Sequence, residues 1–275
     1  MRRWWGLVLA LFLAGCGRIG FGAPSSDAVT GDVTDADSGS DASAATYPET
    51  VSADGPIAYW QLDEPSGTVA IDQRNTFPGT VSGPCTRSAT GLDTAIAFDG
   101  NDETSCQIDV GDVMTFAGTA AFSIEAWFVH PAGIRPFQHI FERERRNGGP
   151  NDGYGLVVQD GVLPRTVFLE RVVFNNQIVS SPELPIMDDT LHHVVGTFDG
   201  TELRIFLDGV DGGAFPDTRP IGPTPGAHAM IGVGPDPGDS GGNAFHGVLD
   251  EVAIYDRALS PAQVAHHHEV GQSSF

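Results

Sequence analysis

The sequence predicts an all-β protein, a sandwich of two antiparallel sheets that ends in a short helical turn. Three observations predict it. Leu191 to Asp208 reads as two strands around an Asp199-Gly200 turn. Val194 and Phe198 share one face and Val195 and Thr197 the other, and past the turn Leu203, Ile205 and Leu207 alternate with Glu202, Arg204 and Phe206. The 275 residues include 35 Gly and 19 Pro, and Asp99-Gly100, Asp160-Gly161, Asp199-Gly200 and Asp208-Gly209 punctuate short apolar runs, as closely spaced strands require. Only the segment after Ser260-Pro261, with Ala262, Val264 and Ala265, carries a helical pattern, which argues against a helix-on-sheet architecture.

The first element in chain order is an export signal, residues 1–15. Met1-Arg2-Arg3 precedes an apolar run from Trp4 to Leu13, which is far short of the roughly 20 residues a spanning helix needs. Leu13-Ala14-Gly15-Cys16 resembles a bacterial lipobox, which implies cleavage before Cys16 and lipidation of its thiol; an ordinary secretory signal is the alternative. Several acyl chains at about 0.8 kcal/mol per buried CH₂ make a stable membrane anchor. Gly17, where an Asp often signals inner-membrane retention, favours the outer membrane. Residues 16–46 are rich in Ser, Ala, Gly, Thr and Asp with hardly any large apolar group, so they are expected to form a disordered acidic tether. Residues 47–275 are enough for one β-sandwich domain.

Within that domain five blocks stand in a recognisable order. They are Ile57-Ala58-Tyr59-Trp60-Gln61-Leu62-Asp63-Glu64, Ala97-Phe98-Asp99-Gly100, Phe122-Ser123-Ile124-Glu125-Ala126-Trp127, the hairpin above, and the run from Gly247 to Ser260. Together they resemble the LamG-like jelly roll of the concanavalin A-like lectin and glucanase superfamily. The resemblance implies a two-sheet jelly-roll sandwich in which Trp60 and Trp127 belong to the core. It also implies a structural Ca²⁺, held by Asp72 and Asn75 after the opening strand with Asp250 at the start of the last strand. Arg74 departs from the family pattern and would compete with a cation. The alternative is that Asp72 caps a turn and Asp250 accepts a backbone hydrogen bond.

A formal net charge of −22 argues against nucleic acid as a partner. Cys85 and Cys106 are expected to pair, since an exported chain meets an oxidising compartment and no further Cys or His stands near them to complete a zinc site. His192 and His193 are adjacent on a strand and point to opposite faces, which suits framework roles. In His266-His267-His268-Glu269 only His266 and Glu269 share a helical face. For a sugar platform the candidates are Tyr154, Phe137 and Phe174, with Tyr154 taken as the ligand-binding residue. No Glu-x-Asp-x-x-Glu run or His-Glu-x-x-His pair occurs, so no catalytic residue is assigned. The expectation is a non-catalytic module of the cell envelope. Its loops 143–153 and 234–244 would engage a surface protein in interaction or adhesion. A lectin-like carbohydrate-binding module is the alternative, and a glycan hydrolase comes third.

Overall fold

The structure, a computed structural model, describes residues 45–273 apart from 90, 102–104, 134–135, 146–151, 162, 174–176 and 235–242. Residues 1–15, Cys16 and nearly all of the expected tether lie outside the described residues, as do Phe174 and much of the 143–153 and 234–244 loops. No described helix is long and apolar enough to cross a membrane.

Helix α1 (Tyr47–Ala53) comes first. Strands β1 (Ala58–Trp60), β2 (Val69–Ala70), β3 (Gly79–Ser82), β4 (Thr86–Ser88), β5 (Ala95–Asp99), β6 (Gln107–Gly111), β7 (Phe122–Val129) and β8 (Gln138–Arg145) follow. After them come β9 (Asp152–Gln159), β10 (Thr166–Val173), β11 (Gln177–Ser180), β12 (Leu184–Pro185), β13 (Leu191–Phe198), β14 (Glu202–Leu207), β15 (Val210–Pro216), β16 (Ala229–Ile231) and β17 (His246–Tyr255). Helix α2 (Pro261–Gln272) ends the described chain. Among the described residues an eight-stranded sheet runs β15-β14-β13-β7-β17-β5-β4 with β1 also on β17, and a nine-stranded sheet runs β11-β10-β9-β8-β16-β6-β3-β2 with β12 on β10. Their pairings are antiparallel, giving the two-sheet jelly roll that the sequence predicts.

The hairpin forms as its alternation dictates, with Val194 opposite Leu207 and Phe198 opposite Leu203. Val194, Phe198, Leu203 and Ile205 enter the core, whereas Val195 and Phe206 pack in a separate cluster with Trp127. In the three-residue connection, Asp199 Oδ1 accepts from the backbone N–H of Thr201 (2.7 Å) and Glu202 (2.9 Å), and Gly200 takes φ 101°. The main core holds Trp60, Phe122, Phe128, Phe141, Leu156, Leu169 and Leu249. Burying each such side chain contributes about 1.5–3 kcal/mol. Cys85 and Cys106 form the expected disulfide.

One element was not expected. Helix α1 packs Tyr47 and Val51 against Tyr59, Trp127 and Tyr255, in the layer that also takes Val264 of α2. Its start signals are present in the sequence: Pro48 lies in the first turn, and Glu49 accepts from the Thr46 backbone N–H at 2.9 Å. At seven residues it is too short to carry a readable apolar period.

Candidate functional site

The nine-stranded sheet buries Phe141, Leu156, Leu169 and Val179 in the core, so their neighbours along each strand face outward. Register aligns Glu142 of β8 with Gly155 of β9, Gly155 with Glu170 of β10, and Glu170 with Ser180 of β11. These four positions form one row on the outer face. A bulge between His139 and Phe141 adds Ile140 to β8. In a regular strand His139 and Glu142 would face opposite sides; the extra residue turns both outward. His139 Nε2 then lies 2.9 Å from Glu142 Oε2 and 3.5 Å from Glu170 Oε1. All three residues are buried.

Gly155 puts no side chain on the floor of this cluster; a Cβ there would touch Glu142 Cγ and His139 Cδ2 at 3.5 Å each and press on the Phe141 carbonyl at 3.2 Å. The backbone carbonyl of Asn243 lies 3.4 Å from His139 Nδ1, and donation to it leaves Nε2 facing the carboxylates. Burial disfavours charge on His139, but Glu142 and Glu170 outweigh it and bring the imidazole up to about 10. Burial pushes Glu142 up to about 8, against the pull of His139. Above the cluster a pocket of about 370 Å³ is walled by Phe137, Phe168 and Ile178, with Gln159, Ser180, Glu183 and Asn243 as polar groups. Phe137 and Ile178 stand exposed at its edge.

The residues singled out in the sequence fall elsewhere, with Phe137 the exception. Tyr154 is only 1 % exposed: its ring packs on Phe122 and its hydroxyl donates to the Met114 carbonyl at 2.7 Å. It belongs to the core and offers no face to a ligand, because its side chain alternates inward on β9 while Gly155 turns outward. Trp60 and Trp127 are buried as expected. Asp72 spends both oxygens on backbone N–H groups, Oδ1 on Tyr59 (2.8 Å) and Arg74 (3.0 Å), Oδ2 on Thr76 and Phe77 (2.8 Å each). That saturated carboxylate fits the turn-capping role and does not fit a calcium ligand. Asn75 sits exposed in the same turn at φ 57°.

Asp250 differs. It is fully buried; Oδ2 accepts from Leu92 N–H at 2.7 Å, while Oδ1 has no hydrogen-bond partner among the described residues. Burial, with the carboxylate of Asp93 beside it, pushes Asp250 up to about 7. Burial and then Asp250 raise Glu251 as well. The backbone is strained here, since the bulge in β17 holds Glu251 at φ 54° and Leu62 nearby takes 62°.

The histidines are framework groups. His192 accepts from Met187 N–H at Nε2 (3.1 Å) and so presents its proton at Nδ1 to Asp208 (2.8 Å). His193 points to the other face, where Glu125 gathers His193 Nε2 (2.8 Å), His267 Nδ1 (2.9 Å), Tyr47 Oη (3.0 Å) and Tyr255 Oη (2.8 Å). The buried member of the C-terminal trio is His267, and His266 and Glu269 are exposed.

The His139, Glu142 and Glu170 cluster was not singled out in the sequence. The period-2 alternation of Glu142-Arg143-Glu144 does signal two outward acids around one inward Arg, and buried Arg143 indeed turns away, to Asp112 (2.8 Å) and Thr115 (2.9 Å). His139 and Glu170 join that signal only through the bulge and the strand register.

Comparison with curated proteins finds no match. Among solved structures, the chain is similar to domain 4 of AbnA, a GH43 extracellular arabinanase from Geobacillus stearothermophilus, in complex with arabinotriose. The TM-score is 0.59 at 17% identity, over 78% of this chain and 98% of that one. The binding domain of Paraclostridial Mosquitocidal Protein 1 gives 0.60 at 15% identity over 78% of this chain and 52% of that one. A mutant sialidase of Trypanosoma rangeli displaying trans-sialidase activity gives 0.55 at 14% over 78% and 33%. The chain thus spans about half of the toxin domain and a third of the sialidase. The family model of the concanavalin A-like lectin/glucanases superfamily matches residues 99–265. With more than half of its length so matched, on two antiparallel sheets in jelly-roll order, the chain belongs to the concanavalin A-like lectin/glucanase superfamily.

Proposed function

We propose that this domain is a non-catalytic binding module, tethered to the cell envelope through lipidated Cys16, which takes hold of an envelope or surface partner at the outer face of its nine-stranded sheet. The observation that carries the reading is the pocket beside Phe137. Its volume of about 370 Å³ falls in the range of ligand sites, and it pairs apolar walls with a few convergent polar groups. Exposed Phe137 and Ile178 at the rim suit an adhesive contact with a protein. A glycan is the second reading: an aromatic face next to Gln159, Ser180, Glu183 and Asn243 offers stacking and hydroxyl recognition together. The arabinotriose complex of the arabinanase domain supports it by analogy of fold alone.

The calcium site we propose is Asp250 with Asp93. The Oδ1 without a hydrogen-bond partner among the described residues and the Asp93 carboxylate that raises Asp250 are what a hard cation would relieve.

The test is a glycan array and in-cell crosslinking performed side by side, with wild type and Phe137→Ala. Selective glycan retention lost in F137A places the partner among carbohydrates. A blank array with a crosslinked envelope protein, again lost in F137A, supports the adhesion reading. Retention or crosslinking indifferent to F137A would move the binding surface elsewhere.

A further inference from the structure

We propose that His139, Glu142 and Glu170 form a zinc-type metal site whose open coordination position faces the pocket. Their ligand atoms all lie within 4.8 Å of one another. The spacings from His139 Nε2, 2.9 Å to Glu142 and 3.5 Å to Glu170, bracket the separation of about 3.3 Å that tetrahedral ligands at about 2.0–2.1 Å from a zinc ion would have. The two carboxylates lie within the same 4.8 Å, and side-chain rotations that draw them together would close the three atoms on one ion.

Three further features fit. His139 Nδ1 is directed at the Asn243 carbonyl, the outer partner that typically fixes a ligating imidazole with Nε2 free for the metal. Gly155 adds no side chain between Glu142 and His139, both of which a Cβ there would touch at 3.5 Å. All three ligands are buried, with His139 1%, Glu142 0% and Glu170 5% exposed, so the ion would be shielded from bulk water on the protein side. One imidazole with two carboxylates favours zinc-like ions over calcium, which seeks six to eight oxygens.

Three protein ligands leave a fourth position, and His139 and Glu170 line the pocket. Resting on the binding reading above, the occupant of that position is a ligand oxygen: a carboxylate or a sugar hydroxyl that coordinates the metal while its body lies along Phe137 and Phe168. The metal itself is assayed without any ligand, so its failure leaves the binding reading intact.

The experiment is a calorimetric titration of the metal-stripped chain with Zn²⁺ in millimolar Ca²⁺, paired with Co²⁺ substitution read by visible absorption. Wild type should take up one Zn²⁺ at this site and show cobalt bands of low-coordinate N/O geometry. Glu170→Gln, at the pocket edge, should weaken uptake at least tenfold with an unchanged circular dichroism spectrum, and His139→Gln should abolish the cobalt bands. No uptake by folded wild type overturns the proposal. So does uptake that survives E170Q and H139Q and disappears in His266→Ala/His268→Ala, which would place the ion on α2.

Discussion

At Glu125 two histidines and two tyrosines meet one carboxylate, and their charges set a pH window. Burial alone would raise Glu125, yet His267 and His193 outweigh it and hold the carboxyl far below its usual range. Its contribution is present above the unfolded value, about pH 4.3, and is lost as pH falls towards the depressed folded one. His267 is raised against burial by Glu125 and Asp54. Its share is complete below about pH 6.5 and is lost as pH rises through the elevated folded value. Urea unfolding should therefore find this network worth most between about pH 4.5 and 6.5. Glu125→Gln should cost about 3–5 kcal/mol there, because it leaves buried donors without their anion. An unfolding midpoint unchanged by E125Q across that range would refute the charge balance. The two acids proposed for calcium separate in the same way. Asp72→Asn should destabilise by about 3 kcal/mol, since one amide cannot accept four N–H bonds. Calcium bound at Asp250, as proposed, should raise Tm, and Asp250→Asn should leave the fold intact and remove that rise. At 100 times Kd that rise should amount to about 2.7 kcal/mol of added stability.

Among the elements, α2 shows how a docking surface overrides intrinsic preference. Ser260 and Gln263 exchange capping bonds and Pro261 opens the helix, all visible in the sequence. Gly271, near its end, looks like a defect that Ala would mend by about 1 kcal/mol. A Cβ there would fall 2.3 Å from Trp127 Cζ2, however, and Trp127 is fixed between β13, β17 and the stacked ring of His268. Gly271→Ala should thus destabilise by about 1–3 kcal/mol and alter the near-ultraviolet dichroism of Trp127. A gain in stability would show that α2 does not pack this closely. The β8 bulge teaches a related lesson. Ile140 itself is an ordinary core residue, yet as the extra residue it turns His139 to the side of Glu142, and no local pattern marks it.

For the whole molecule, the anchor is the reading with the largest consequence. Cys16→Ser should release the protein from membranes into the soluble fraction, and mass spectrometry of the wild-type N-terminal peptide should find acylated Cys16. Cleavage without acylation of Cys16 would return residues 1–15 to an ordinary leader, and an uncleaved N-terminus would overturn the export signal. By itself the sequence determined the class of fold, the 191–208 hairpin, the burial of Trp60 and Trp127, the Cys85–Cys106 pair and the C-terminal helix. Each is written in spacings of a few residues, or in a residue type with few alternatives. Only the tertiary structure decided which polar groups share a site. It placed Tyr154 inside and Gly155 outside, saturated Asp72 with N–H donors, left Asp250 Oδ1 without a partner among the described residues, and brought His267 to Glu125 across 142 residues. Those outcomes depend on register, bulges and the meeting of distant strands. A periodic pattern fixes which face a side chain takes, and says nothing about which distant side chain will meet it there.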